Sequence, residues 1–411
     1  MCKALRFSLY HKIYLERCVF MFYLGIDIGK FSSVATLIDE NGSIVDKTLK
    51  FSNTTDGANS LLELIDSYVF ESSNLAIGME STGHYWLSIF SFLAEKDFSV
   101  SIINPIQIKS FRKSFTIRKV KNDFVDSILI ANYLRIFGSN DFSLPNEKLI
   151  ELKQLCRHRH FLVGNISDLK RKSIAVLDRV FPEYQKIFSD TFGTTSLELL
   201  SNCPTPEDIV NIDTQKLCEI LTKVSRGRID YDKVSNIQNI AKNSFGIKFA
   251  LNGFTFELKQ LIAQIQFLES QLKDLENEIE SIYQTFNCYL STIPGISYTL
   301  AAIILSEIGD INKFSSPAKL VAFAGIDPSI NQSGEFLGTE NAISKRGSPF
   351  LRRALFLAAF VAENNDPTLK AYYQKKISEG KHHYVATGAV ARKLTFIIYS
   401  VLKEQRPFKN F

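Results

Sequence analysis

Residues 23–30 read Tyr-Leu-Gly-Ile-Asp-Ile-Gly-Lys. This is a short apolar run with a glycine on either side of a single acid, Asp27. Burying a carboxylate inside such a run is costly unless something pairs with it, and a metal ion is one such partner. The run predicts a first strand over 22–28. Around it, 32–39 and 44–52 predict two more strands, the turn between them carried by Asp39-Glu40-Asn41-Gly42. Three strands joined by short turns make an antiparallel meander. Asn53-Thr54-Thr55-Asp56-Gly57 then supplies the cap of a helix bearing Leu61, Leu62, Leu64 and Ile65.

Further along, Asn74–Met79 predicts a fourth strand, with Leu75, Ile77 and Met79 on one face and Glu80 at its end. His84 opens a helix, Ser99–Ile103 is a fifth strand, and Asn122–Phe137 is helical. A meander followed by alternating helices and strands is the order of an α/β domain of the RNase H-like kind. Beyond Leu149 the pattern is helical. A basic stretch runs from Lys153 to Phe181, and 182–250 reads as short helices to which the sequence assigns no task. Within 254–286, Leu258, Leu261, Ile265, Leu268, Leu272, Leu275, Ile279 and Ile282 alternate spacings of three and four. That heptad seam predicts a coiled coil, expected between two copies of the chain, although one helix packed inside its own bundle fits the same spacing. Ile293-Pro294-Gly295-Ile296 resembles the turn of a helix-hairpin-helix, whose backbone N–H groups hold phosphate. Two apolar helices follow at 349–363 and 386–403. The expected organisation is a leader or over-long start (1–21), an RNase H-like or RuvC-like domain (22–148), a helical linker and coiled coil (149–286), and a mainly α domain (287–408).

The 411 residues are 45% hydrophobic and 22% charged, as in an ordinary globular protein, with a net charge of +5. The basic balance permits nucleic acid as a partner. Six scattered cysteines without a C-x-x-C pair point to neither a zinc ribbon nor a disulfide framework. No run of about 18 uncharged apolar residues predicts a membrane span. A cytoplasmic, nucleoid-associated protein is the expectation.

Four acids carry the chemistry. Asp27 and Glu80 close two strands that the topology can make neighbours, and Asp123 and Asp126 share one face of a helix. If the four converge, cations must neutralise them. Two Mg²⁺ or Mn²⁺ ions about 4 Å apart do so with hard oxygen ligands, and clamp the attacking and leaving oxygens of a phosphodiester. Singly, an acid after a strand is usually a cap and a D-x-x-D on a helix is usually a solvated face. Their order, with Lys109, Arg112, Lys113, Arg118, Lys119 and Lys121 just before the last pair, is what points to nucleic acid. Lys345, Arg346, Arg352 and Arg353 form a second basic group, which fits either phosphate contacts or a solvated face.

These motifs resemble the DEDD insertion-sequence transposases of the IS one-ten type, which include the Piv-type DNA invertases. The matching segments are Y-L-G-I-D-I-G-K, G-M-E-S-T-G-H-Y-W, I-N-P before a basic run, K-N-D-F-V-D-S, S-T-I-P-G-I, F-A-G-I-D-P, S-G-E-F-L-G and I-S-K-R-G-S-P-F-L-R-R-A-L. They span nearly all of 22–408, without the content of 182–250. The resemblance implies a RuvC-like domain joined through a coiled coil to a C-terminal transposase domain. It makes Asp27, Glu80, Asp123 and Asp126 a metal-binding tetrad and Ser333 a nucleophile that forms a 5′-phosphoserine link to DNA, beside the tetrad of a partner subunit. It also implies a non-coding bridge RNA that pairs with donor and target DNA. By itself a Ser-Gly is usually a turn, and no histidine in that loop offers a base. Three alternatives stay open: a RuvC-like junction resolvase that needs no serine, an actin-like or sugar-kinase ATPase, and a nucleic-acid-binding protein without chemistry. The ATPase would need a second Asp-Gly phosphate loop and an adenosine-binding Gly-Gly segment, neither of which is present.

Overall fold

The computed structural model describes residues 21–69, 71–81, 83–115, 122–138, 146–328, 332–333, 336–337 and 342–409. The chain divides into two compact units, 1–144 and 145–411.

Unit 1 is built on a five-stranded sheet. Its strands are β1 (Phe22–Asp27), β2 (Ser32–Ile38), β3 (Leu49–Ser52), β4 (Leu75–Glu80) and β5 (Val100–Ile103), and their spatial order is β3-β2-β1-β4-β5. β1 pairs antiparallel with β2, and β2 antiparallel with β3. β1 and β4 run parallel, as do β4 and β5. The meander is therefore present, but its third strand is shorter than the sequence predicts. Ile44 forms only an isolated bridge to Ile38, and the regular ladder begins at Leu49.

Strand alternation divides the sheet into two faces. Leu24, Ile26, Leu75, Ile77 and Met79 point into one core. There they meet Leu61 and Ile65 of α1 (Thr55–Tyr68) and Ile89, Phe90 and Leu93 of α2 (Trp86–Ala94). The other face carries α3 (Pro105–Phe115) and α4 (Asp123–Phe137). Ile108, Ile130 and Leu134 pack there with Ile103 and Tyr23.

Glycine brings α4 down onto the strands. A Cβ on Gly25 would lie 2.1 Å from the Ser127 carbonyl oxygen and 2.4 Å from the Ala131 nitrogen. One on Gly78 would lie 2.7 Å from Leu134 Cδ1. Across the sheet, Thr36 is the partner of Gly25, and its hydroxyl bonds Ser127 Oγ at 2.7 Å.

Among the described residues, the regular structure of unit 2 is helical apart from a two-stranded ribbon. Two long helices, α5 (Glu147–Val180) and α10 (Leu251–Gln284), pack along each other in opposite directions. They are tied by Arg159–Glu276 at 2.6 Å, Lys170–Glu269 at 2.7 Å and Lys172–Glu257 at 3.3 Å. The heptad seam of 254–286 therefore finds a partner in the same chain. Seven-residue spacing specifies a facing helix but not which one, and α5 supplies it. Leu258, Leu261, Ile265, Ile279 and Ile282 are buried, whereas Leu268, Leu272 and Leu275 in the middle are half-buried.

Between the long helices the chain builds a lobe of α6 (Thr194–Asn202), α7 (Pro206–Asn211), α8 (Thr214–Ser225) and α9 (Tyr231–Lys242). Val176, Leu177, Leu200, Leu221, Val234, Leu258 and Ile262 share its core. The remaining helices are α11 (Tyr298–Ile308), α12 (Pro317–Ala324), α13 (Pro349–Asn365), α14 (Pro367–Ser378) and α15 (His383–Glu404). They close a second core with Leu152, Cys156, Ile279 and Ile282 from the long helices. Within 323–349 lie the short strands β6 (Gln332–Ser333) and β7 (Phe336–Leu337), paired antiparallel.

Gly295, at φ +88°, faces α13: a Cβ there would lie 2.6 Å from the Ala358 carbonyl oxygen and 2.7 Å from the Ala362 nitrogen. The Ile293–Ile296 turn thus packs closely on α13. Among the described residues one helix, α15, is long and apolar enough to cross a membrane. Its Ala386, Val390, Leu394 and Ile398 are buried, three of them in the unit 2 core, and Arg392 and Lys393 interrupt it.

Candidate active site

Asp27 is the last residue of β1 and Glu80 the last of β4. The parallel register pairs Ile26 with Met79, so the two acids occupy the next step along neighbouring strands. Alternation puts both on the face that carries α4, because Gly25 and Gly78, two residues before them, touch that helix. Both acids are half-buried and engaged in contacts.

α4 runs against the direction of β1. Its Ser127 lies at Gly25, while its Arg135 reaches Gly42 and the Glu40 carbonyl oxygen at 3.5 Å, beyond the Tyr23–Ile38 pair. The first turn of α4 therefore lies at the sheet end where Asp27 and Glu80 sit. Asn122 caps that turn by accepting from the Val125 N–H at 2.8 Å. Asp123 and Asp126 are in the turn, Asp123 exposed and Asp126 buried. Carboxylates are favoured at a helix N-terminus, so the turn accepts both.

Asp126 forms an ion pair and hydrogen bond with Arg112 of α3. Phe111, beside it, packs edge-on against Tyr133 of α4, which fixes α3 on α4. Arg112, expected among the residues that contact nucleic acid, is thus engaged with an acid of the site. Its side chain is only 22% exposed and is committed to an acid, and its Nη1 is buried with no hydrogen-bond partner. Lys109 and Lys113 of the same helix are exposed. Arg118, Lys119 and Lys121 lie outside the described residues.

An all-carboxylate donor set at one sheet end suits a hard divalent cation. Among the described residues, however, no three His, Cys, Asp or Glu side chains stand close enough together to hold a metal ion. The guanidinium of Arg112 occupies Asp126 instead.

In unit 2, Ser333 is the second residue of β6 and pairs with Phe336 across the ribbon; its side chain lies outside the described residues. The segment after the ribbon is held firmly. Ser344 Oγ donates to Asp327 Oδ1, and the Lys345 N–H donates to the Gly325 carbonyl oxygen at 3.0 Å, with Lys345 at φ +52°. Gly347 lies against the Phe323 carbonyl oxygen, with room for no side chain. Lys345, Arg346 and Arg353 are exposed. Arg352 is half-buried, and its Nη1 donates to the Ala324 carbonyl oxygen at 3.4 Å, at the end of α12.

The sequence reading missed Glu307. This buried carboxylate accepts from Arg157 Nε at 2.8 Å and Nη2 at 3.3 Å, and from Ser348 Oγ at 2.8 Å. Burial raises its pKa, but the Arg157 hydrogen bond and the Lys153 and Arg157 charges outweigh that and leave it below the ordinary carboxylate value. Ser348 also caps α13 by accepting from the Leu351 N–H at 3.2 Å. One acid thereby joins α5, α11 and the start of α13. A lone Glu in an apolar helix was its only signal. Burial also pushes the Cys156 thiol up to about 11, which keeps it protonated and inert at neutral pH. His383 Nδ1 bonds the Tyr373 hydroxyl at 2.7 Å.

Comparison with known proteins adds independent findings. Residues 24–182 match the DEDD-type IS110 transposase profile, and residues 287–374 match the transposase IS116/IS110/IS902 family profile. The pilin gene-inverting protein of Moraxella lacunata is 24% identical over 387 residues, covering 94% of this chain and 97% of that protein. The mini-circle putative transposase for IS117 of Streptomyces coelicolor is 22% identical, covering 94% of this chain and 95% of that protein. The transposase for insertion sequence element IS1111A of Coxiella burnetii is 28% identical over 160 residues, covering 37% of this chain and 43% of that protein.

Proposed function

Because the chain belongs to the IS110-type DEDD transposase family and is a DNA transposase or recombinase, we propose that it cuts and rejoins DNA with a carboxylate site on unit 1 and a serine on unit 2. The family uses divalent metal. In this chain Asp27, Glu80, Asp123 and Asp126 would hold Mg²⁺ or Mn²⁺. The single observation that carries the reading is the common placement of Asp27, Glu80 and the first turn of α4 at one end and on one face of the sheet. The strand order β3-β2-β1-β4-β5, antiparallel on one side of β1 and parallel on the other, supports an RNase H-like, RuvC-like assignment for unit 1.

Once bound, a divalent ion supplies Lewis acidity at the scissile phosphate and neutralises the acids. The chain's own residues do the rest. For Asp126 to join the other acids, its ion pair with Arg112 has to open. Ser333 Oγ attacks phosphorus, its proton passing to a neighbouring carboxylate, and the DNA 3′-oxygen leaves, so that a 5′-phosphoserine link conserves the bond energy for rejoining. Lys345, Arg346 and Arg353 hold the strand through its phosphates. A second copy of the chain, meeting the first through the half-buried middle of α10, supplies the acids for each Ser333. A bridge RNA pairs with donor and target DNA. The site of action is the cytoplasm, at the nucleoid.

The test is recombination of a donor and a target plasmid with the element's own flanking RNA supplied. Wild-type protein yields recombinants, and the Asp27→Asn and Ser333→Ala proteins yield none. Normal recombination by either variant refutes the mechanism. Cleavage that persists in Ser333→Ala favours a plain junction resolvase.

A further inference from the structure

A cleft opens at the Asp27–Glu80 end of the sheet, on the opposite face from α4. It has a volume of about 470 Å³, within the range of small-molecule sites. Buried Phe51, Ala58 and Ile89 form its floor. Asn53, Thr54, His84, Tyr85 and Ser88 form its walls, and Lys30 stands at its rim.

The wall is an aromatic step. The His84 and Tyr85 rings lie 4.2 Å apart at 38°, His84 exposed and Tyr85 half-buried. The rim carries a cation, Lys30, whose Nζ lies 4.9 Å from the centre of the exposed Phe31 ring. Lys30 is held in place by Asn53. The Asn53 amide donates to the Gly29 carbonyl oxygen at 2.8 Å and to the Lys30 carbonyl oxygen at 3.3 Å, and its Oδ1 accepts from Ser33 Oγ at 2.8 Å. The Asn53 N–H donates to the Phe31 carbonyl oxygen at 3.0 Å. The turn clamped in this way directly follows Asp27. One edge of the sheet therefore carries acids on one face and an aromatic, cation-rimmed cleft on the other.

We infer that the cleft takes the base of a nucleotide in a single-stranded segment of the DNA substrate, stacked on Tyr85 and His84, with its backbone phosphate at Lys30. The inference rests on the DNA-cutting reading of the acid end. An aromatic step accepts any base, because every base has a π-face, and a lysine at the rim supplies the charge that tracks the backbone. The cleft would thus hold the strand in register without reading its sequence.

Photo-crosslinking tests this. The full-length protein is bound, in Ca²⁺ buffer, to a single-stranded DNA oligomer carrying 5-iododeoxyuridine, irradiated and mapped by mass spectrometry. The crosslink is expected on the 83–88 peptide. Tyr85→Ala weakens binding of that strand roughly 5- to 150-fold, whereas Tyr85→Phe changes it less than about twofold. Ser88→Trp, at an exposed position, fills the cleft without entering the core and removes the crosslink. Crosslinks confined to other segments overturn the inference, as does an equal loss in Tyr85→Ala and Tyr85→Phe. Preferential crosslinking to the matching RNA oligomer overturns the assignment to DNA. Asp27→Asn separates the two proposals: it keeps the crosslink and loses cleavage. If that variant cleaves normally, the acid site is refuted while the cleft stands.

Discussion

Arg112 shows most clearly how a single residue reshapes a site. Its charge was legible in the sequence, but its partner was not, because the bond to Asp126 depends on how α3 docks on α4. A guanidinium on a ligand carboxylate competes with any cation for it. Arg112→Gln should therefore tighten Mn²⁺ binding roughly three- to tenfold, as expected for loss of a partly exposed pair worth about 1 kcal/mol. Electron paramagnetic resonance of free Mn²⁺ measures this, and unchanged affinity would show that Arg112 does not guard Asp126. Glu363 makes a second prediction at this scale. It is buried, it accepts from Thr387 Oγ1 at 3.3 Å, and its Oε2 has no partner. Burial raises its pKa, against smaller opposing effects of Thr387 and His383. A carboxyl whose folded pKa lies above its unfolded value binds more protons when folded, so stability falls as pH rises through that interval. Glu363→Gln should melt higher than wild type at pH 7, and the difference should close as the pH falls below the ordinary carboxylate value. Thermal melts against pH decide this, and a constant difference would mean that Glu363 ionisation does not matter.

At the scale of elements, period and turn chemistry made much of the fold readable. Alternation around Leu75, Ile77 and Met79 gave the core face of β4, and by elimination the side of Glu80. The D-x-x-D spacing gave a shared helix face for Asp123 and Asp126. What could not be read was contact between elements. The Ile293-Pro294-Gly295-Ile296 turn resembles a phosphate-holding hairpin, and the sequence did not show that its glycine also admits α13. The heptads predicted a coiled coil between two copies of the chain, whereas in the structure α5 of the same chain packs along α10. The glycines of β1 and β4 have a comparable use, since Gly25 lets α4 deliver its acids. Gly25→Ala drives a methyl into backbone atoms that cannot rotate away. It should cost about 1–3 kcal/mol, the usual penalty of overpacking, and displace the first turn of α4. Chemical denaturation and a cleavage assay check both effects, and a variant with wild-type stability and activity would show that this close approach is dispensable.

Across the whole molecule, the order of motifs was more informative than any one of them. Acids at 27, 80, 123 and 126 and the segments around 323–355 were legible through the order and spacing of their motifs. The segment 182–250 gave no functional signal because its residues serve their own core, with Tyr184 buried and donating to the Ser196 carbonyl oxygen at 2.9 Å. Glu307 was invisible for a related reason: its partners stand 150 and 41 residues away. The central claim joins the two units in one reaction, with carboxylates on one and a serine on the other. It is tested most directly by incubating the protein with end-labelled DNA, Mg²⁺ and the flanking RNA, and resolving the products under denaturing conditions. The account predicts a protein-linked DNA band that survives denaturation, disappears on protease treatment, and is absent from Ser333→Ala and Asp27→Asn. Cleaved DNA with no linked protein, or a linked band that persists in Ser333→Ala, would contradict it.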